Sequence, residues 1–90
     1  MTLEQLRVFI AVAEREHLTR AAGALNISQS AVSATVAALE TELATPLFDR
    51  VGRGLRLTPG GSILLAEARS VLRRAEDARE RLARFNAGDP

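Results

Sequence analysis

The stretch that decides the fold is residues 18–43, LTRAAGALNISQSAVSATVAALETEL, which holds two helical patterns separated by a very short turn. The first pattern predicts a helix from Arg20 to Leu25 with Thr19 as its N-cap. Asn26 tolerates the left-handed conformation that ends a helix, and Ser28 can cap the next helix two residues later. Because helices joined by so tight a turn must cross steeply, the stretch predicts a helix-turn-helix.

The second of these helices, predicted over residues 29–44, has two distinct faces. Apolar side chains at spacings of four and three form its buried stripe, namely Val32, Val36, Leu39 and Leu43. The opposite face centres on Ser30 and Ala34, whose small side chains let the helix approach another surface closely. No acidic residue lies between His17 and Leu39. This face is therefore the first candidate for contact with a ligand.

The flanking segments predict two further helices and a hairpin. A capping box, Thr2 with Gln5, starts a helix over residues 3–15. After Pro46 the pattern alternates, with Phe48 and Arg50 on one strand and Leu55 and Leu57 on the other, around glycines at the tip. Thr58 followed by proline marks another helix start. His17, between the first two helices, is interpreted as an ordinary surface or packing residue.

The last helix, predicted over residues 60–86, carries an apolar heptad repeat. At 1.5 Å per residue it would extend roughly 40 Å, too far for so small a core to cover. We therefore expect two copies of the chain to pair through it. The heptad residues are Leu64, Ala68, Val71, Ala75, Ala78, Leu82 and Phe85.

Composition excludes most enzyme classes. The 90 residues suffice for one domain, and the absence of cysteine excludes disulfides, thiolate metal sites and thiol nucleophiles. A single histidine cannot assemble a histidine-based metal site or a Ser-His-Asp triad. We expect no catalysis and no cofactor. The longest apolar run, from Val8 to Ala13, is too short for a signal peptide core or a membrane span, so we expect a cytoplasmic chain without membrane contact.

The distribution of charge is more informative than the net charge of +1. Every cation is an arginine, and residues 50–66 contain Arg50, Arg53 and Arg56 without any acid. A helix face without carboxylates, followed by such an arginine-bearing hairpin, is typical of a surface that meets phosphates. Arg53, between two glycines, is suited to a narrow minor groove, while Arg50 and Arg56 are suited to phosphates.

Two other interpretations stay open at this stage. A chance gap in the acids would leave an ordinary solvated face. Alternatively, the chain is a helical protein-interaction module that dimerises through the C-terminal heptad and whose hairpin arginines meet an acidic protein.

The sequence as a whole resembles the N-terminal DNA-binding domain of LysR-type transcriptional regulators. The residues that carry the resemblance are Ala21-Ala22, Leu25, the run from Ser28 to Ser33, Leu39-Glu40, Leu43, Leu47-Phe48, Arg50, Leu57-Thr58 and Gly61. The resemblance implies a mainly α winged helix-turn-helix over residues 1–58 and a linker and dimerisation helix with the start of a hinge over residues 59–90. It also implies a homodimer on a dyad-symmetric duplex operator, with the recognition helix in the major groove and the wing, residues 50–56, in the minor groove.

Carried over to this sequence, the resemblance assigns the candidate contacts. It implies base contacts for Gln29, Ser30, Ser33 and Ala34, backbone contacts for Thr19 and Arg50, and a minor-groove contact for Arg53. With their neighbours, the candidate DNA-binding residues are Thr19, Arg20, Gln29, Ser30, Ser33, Ala34, Thr35, Arg50, Arg53 and Arg56.

Three features depart from the family pattern. Position 34 often carries a long polar or basic side chain, whereas Ala34 can offer only an apolar contact. Ala44 replaces the usual glycine after Leu43, so Thr45-Pro46 is expected to end the helix. The C-terminal effector-binding domain of the family is absent from these residues, so any small-molecule effector would act only through that missing domain.

Overall fold

The computed structural model describes residues 1–88 and has the predicted element order. Four helices and a two-stranded hairpin make a winged helix-turn-helix with a long C-terminal helix, which confirms the predicted fold class. The hinge predicted at the C-terminus includes Asp89 and Pro90, which lie outside the described residues. The elements are α1 (Leu3–Arg15), α2 (Leu18–Leu25), α3 (Gln29–Leu43), β1 (Phe48–Val51), β2 (Gly54–Leu57) and α4 (Pro59–Asn86).

Side-chain caps start three helices where the sequence predicts them. Thr2 and Gln5 form both bonds of the capping box on α1, Ser28 accepts from the Ala31 amide on α3, and Thr58 caps α4. The prediction for α2 is wrong: the helix begins at Leu18, and the N-cap is His17, whose Nδ1 accepts from the Arg20 amide at 3.3 Å. Thr19 is therefore not a cap but part of the first turn of α2.

Three helices end on non-glycine residues in the left-handed region. The φ angles are 53° at Glu16, 57° at Asn26 and 51° at Ala44. Asn26 is the residue that the sequence predicts, and it makes the turn between α2 and α3. Ala44 corrects another expectation, because it takes the left-handed conformation itself instead of leaving the stop to Thr45-Pro46. The Thr45 amide then donates to the Glu40 carbonyl at 3.1 Å, the long hydrogen bond of a Schellman motif.

The core consists of two clusters that share Phe48 at their boundary. One cluster joins α1, α2 and α3 through Val8, Ala11, Val12, Ala21, Ala22, Val32 and Val36. The other joins α1, α3, the hairpin and α4 through Leu6, Phe9, Leu39, Leu47 and Ala68. The rings of Phe9 and Phe48 lie 5.4 Å apart between centroids, so an aromatic contact fastens the hairpin to α1.

Helix α4 divides into a packed half and a projecting half. Leu64 and Ala68 pack into the second cluster, and Ala68 is only 1% exposed, so these two heptad residues serve the chain's own core. Burial removes Ala68 from any surface that a partner chain could contact, whereas Leu64 is half-buried. After Leu72 the helix continues for about 20 Å at 1.5 Å per residue without contributing to either core cluster. The principal extents of 53 × 26 × 19 Å reflect this projection.

The left-handed Ala44 generates a stability prediction. The left-handed conformation costs a residue with a Cβ roughly 1–2 kcal/mol of conformational energy. Glycine avoids this cost but loses more backbone entropy on folding. We expect Ala44→Gly to raise the free energy of unfolding by about 0.5–1 kcal/mol. Urea unfolding followed by circular dichroism, at one protein concentration, measures the change.

Ala38→Gly is the matched control, because Ala38 is exposed inside the regular part of the same helix. There the same change should lower stability by about 1 kcal/mol. Equal destabilisation by both substitutions would contradict the cost assigned to Ala44.

Candidate nucleic-acid interface

The outward face of α3 presents the side chains that the sequence predicts. Gln29, Ser30 and Ala34 are exposed, whereas Val32, Val36 and Leu39 on the other face are buried. Ser33 is half-buried at the edge between the two faces. No side chain on the outward face of the first three turns is acidic, so a helix surface of small and polar groups is open to a ligand.

Hydrogen bonds within the protein change the roles available to two candidate residues. The Thr19 hydroxyl donates to Gln29 Oε1 at 2.9 Å, and the Thr35 hydroxyl donates to the Ala31 carbonyl at 3.0 Å. A hydroxyl has one proton to donate, so neither side chain has one left for a phosphate or a base acceptor. The predicted backbone contact by the Thr19 side chain and the predicted contact by Thr35 are weakened on these grounds.

Helix α3 and the hairpin meet at an open cleft. Ser33, Ala37 and Glu40 line it from α3, and Phe48, Arg50 and Leu55 line it from the hairpin. Arg50 and Ser33 therefore line the same cleft, as expected if one surface includes both elements. The sequence predicts each element separately, but only the fold brings these two side chains to the same cleft.

The three hairpin arginines point in different directions. The strands pair antiparallel with Arg50 opposite Leu55 and Asp49 opposite Arg56, so Arg50 and Arg56 lie on opposite faces of the hairpin. Asp49 also means that the hairpin is not free of acids. Arg53 occupies the two-residue tip after Gly52, whose φ of +59° suits the first position of a type II′ turn. Since Gly52 has no side chain, the side chain of this tip is that of Arg53.

Two contacts that sequence reasoning missed hold the hairpin in place. The Leu55 amide donates to the carbonyl of Glu16 at 2.9 Å, and a Cβ on Gly54 would lie 2.9 Å from the same oxygen. The Glu40 carboxylate accepts from the Leu47 amide at 2.7 Å. Glu40 thus has a structural role, because its carboxylate holds the start of the hairpin against α3. The motif Leu39-Glu40 signals the position but not this role.

The arginines of α2 and the hairpin form no ion pairs within residues 1–88. The cations that do form ion pairs are the N-terminal ammonium, Arg7, Arg15, Arg69 and Arg79. Arg20, Arg50, Arg53 and Arg56 are exposed and take part in none of these pairs. Their positive charge is therefore available to an external anion.

Two searches of the described residues bear on other kinds of site. Among residues 1–88 there is no group of three His, Asp or Glu side chains that could hold a metal ion. None of the helices in this part of the chain is long and apolar enough to cross a membrane.

The projecting half of α4 carries the remaining heptad residues. Val71, Ala78, Leu82 and Phe85 are exposed, Leu82 by 59% and Phe85 by 74% of their surface, and Ala75 is half-buried. Large apolar side chains in a row on a helix that leaves its own core are typical of a surface that another chain covers.

Comparison with known proteins agrees with this arrangement. The family model for bacterial regulatory helix-turn-helix proteins of the lysR family matches residues 3–62. An uncharacterized HTH-type transcriptional regulator of Azotobacter vinelandii is 45% identical over 86 residues, which is 96% of this chain and 60% of that protein. The HTH-type transcriptional regulator BudR of Klebsiella aerogenes is 44% identical over 81 residues, covering 90% of this chain and 57% of BudR.

Among solved structures, the crystal structure of the CbnR_DBD–DNA complex matches with a TM-score of 0.90 and 38% identity, over 97% of this chain and 99% of that one. The chain spans less than two thirds of the length of the two curated relatives. Both relatives are transcriptional regulators, which confirms the prediction that the chain is not an enzyme. Since the family match covers more than half of the residues, the chain belongs to the lysR family of bacterial regulatory helix-turn-helix proteins.

Proposed function

We propose that this chain is the DNA-reading part of a transcription regulator and that it binds a dyad-symmetric duplex operator as a homodimer. The observation that carries the proposal is the cleft at which Ser33 of α3 and Arg50 of the hairpin lie together. One ligand surface then includes the first three turns of α3, which carry no acid, and a hairpin with unpaired arginines. Duplex DNA combines grooves with closely spaced phosphates and fits such a surface.

In this proposal α3 enters the major groove. That groove is about 12 Å wide and admits a helix. The exposed ends of Gln29, Ser30 and Ser33 offer hydrogen bonds to base edges, and the Ala34 methyl offers an apolar contact to a thymine methyl. The small side chains on this face support close approach.

The wing, residues 50–56, then lies along the adjacent backbone and minor groove. Arg53 at the tip suits a narrow minor groove, where the negative potential is strongest. Arg50, beside α3, suits a phosphate between the two grooves. Arg20 and Arg56 contribute positive charge farther from the cleft.

The dimer is proposed to form through the projecting half of α4. Its stripe consists of Val71, Ala75, Ala78, Leu82 and Phe85, without the two residues used by the core. We assign residues 1–58 to the DNA-binding domain and 59–90 to the linker and dimerisation segment. An effector would act through a domain outside these residues. The rival function, a protein-interaction module alone, explains the apolar stripe but not the acid-free face of α3.

A salt titration tests the central proposal. With four arginines at the surface of each protomer, affinity for a duplex should fall roughly a hundredfold or more between 50 and 200 mM salt, because bound phosphates release counterions. Fluorescence anisotropy with a duplex from the DNA upstream of this gene measures the slope. Absent binding, or affinity that ignores salt, would favour the protein-interaction alternative.

The wing tip can be tested with a pair of variants. Arg53→Ala should weaken binding more on operators with A/T-rich flanks than on those with G/C-rich flanks, because the narrow A/T minor groove attracts the arginine. Arg56→Ala removes the same charge from the outer face of the hairpin and serves as the control, with a loss that does not depend on the flanks. If both variants respond alike, Arg53 does not read groove width.

The dimer interface predicts a change of assembly. Leu82→Glu places a charge in the apolar stripe and should shift the chain from dimer to monomer in sedimentation equilibrium. Ala83→Glu, an equally charged change one position along and off the stripe, should leave the dimer intact. A Leu82→Glu chain that remains dimeric would rule out this interface.

A further inference from the structure

The contact between Thr19 and Gln29 joins the first turns of the two helices of the helix-turn-helix. Thr19 is the second residue of α2 and Gln29 the first residue of α3, and both side chains are exposed. The distance from Thr19 Oγ1 to Gln29 Oε1 is 2.9 Å. An amide oxygen has no proton, so the threonine hydroxyl is the donor.

The electrostatic surroundings favour this orientation of the amide. Both side chains stand at helix N-termini, where unpaired backbone N–H groups carry partial positive charge. The oxygen end of the Gln29 amide is the negative end, and it is held toward these N-termini. The reverse orientation would direct the amide protons toward the same positive ends and leave the Thr19 proton without its acceptor.

We infer that Thr19 is a positioning residue that sets the base preference of Gln29, an inference that rests on the proposed DNA-binding function. Nε2 of Gln29 makes no hydrogen bond within residues 1–88 and carries two protons. With one lone pair of its oxygen bound to Thr19 and the amide held in that orientation, Gln29 presents its two Nε2 protons to the major groove. The hydroxyl proton is used inside the protein, so Thr19 is reassigned from phosphate contact to this role.

The chemistry of the base edges then defines the preference. A free glutamine pairs bidentately with adenine, because it accepts from N6 and donates to N7. An amide whose oxygen is held at Thr19 is restrained from accepting from N6 as well, and its Nε2 protons fit guanine, whose O6 and N7 are both acceptors, or thymine, which offers O4. Cytosine presents its N4 donor and is disfavoured. Gln29 in this chain therefore selects guanine or thymine over adenine and cytosine.

The experiment begins with selection of the full chain's preferred site from a pool of randomised duplexes. The position read by Gln29 is the one at which Gln29→Ala abolishes discrimination, and affinities are then measured with each of the four bases there. The wild-type chain should prefer guanine or thymine. Thr19→Val, which keeps the shape but removes the hydroxyl, should improve adenine relative to guanine by roughly tenfold, the scale of one good bidentate pair.

Two controls separate positioning from other roles. Thr19→Ser keeps the hydroxyl and should retain the wild-type preference. In a Gln29→Ala background, Thr19→Val should leave the base preference unchanged, because the coupling is lost with its partner. Circular dichroism of each variant checks that the helices are intact.

The opposing results are equally defined. A wild-type preference for adenine, or a Thr19→Val chain with unaltered base preference, overturns the inference. The inference is also overturned if Thr19→Val lowers the affinity equally for all four bases and makes the salt dependence shallower. That result would indicate that Thr19 contacts a phosphate. If the wild-type chain binds no duplex at all, the result refutes the proposed DNA-binding function, and it is distinguishable from failure of the inference because it needs no variant.

Discussion

The packing around Phe9 is the interaction on which the rest of the structure depends. This side chain is fully buried in α1 and lies in one cluster with Leu39 of α3, Leu47 before the hairpin and Ala68 of α4. Its ring also contacts Phe48. Truncating a buried phenylalanine costs about 3–5 kcal/mol, a large share of the stability of a domain this size. Recognition helix, wing and linker helix thus share one apolar anchor, and their relative positions follow from it.

Around that anchor, polar contacts set the finer geometry of the surface. The carbonyl of the left-handed Glu16 receives the Leu55 amide, and the Glu40 carboxylate receives the Leu47 amide. The first bond holds the hairpin to the end of α1, and the second holds the start of the hairpin to α3. Glu40, the acid that lines the cleft, therefore has a structural role, and the arginines of the proposed DNA surface remain unpaired among the described residues. Such separation of charge suits a surface that approaches phosphates.

Much of the fold was predictable because its signals are local. Thr2, Ser28 and Thr58 cap helices within three residues of themselves, and alternating side chains define the hairpin. The errors arose where a distant contact or a strained backbone overrides local preference. His17 caps α2 two residues before Thr19, directly after the left-handed Glu16. The heptad repeat runs along one face of α4. Its early residues, such as Ala68, pack into the chain's own core, and its later residues extend beyond that core.

The sequence by itself determined the helices, the N-caps of α1, α3 and α4, the wing and the family resemblance, since periodicity and capping act over a few residues. It also determined the candidate surface, through the absence of acids between His17 and Leu39 and the arginines at positions 50, 53 and 56. Only the tertiary structure decided which of these side chains can contact a ligand or a partner chain. The Thr19 hydroxyl donates its proton to Gln29, and Arg56 lies on the opposite face of the hairpin from Arg50. Helix α4 leaves the core only beyond Leu72. The physical reason is that hydrogen-bond partners and burial are properties of pairs distant in sequence, which become defined when the apolar core closes.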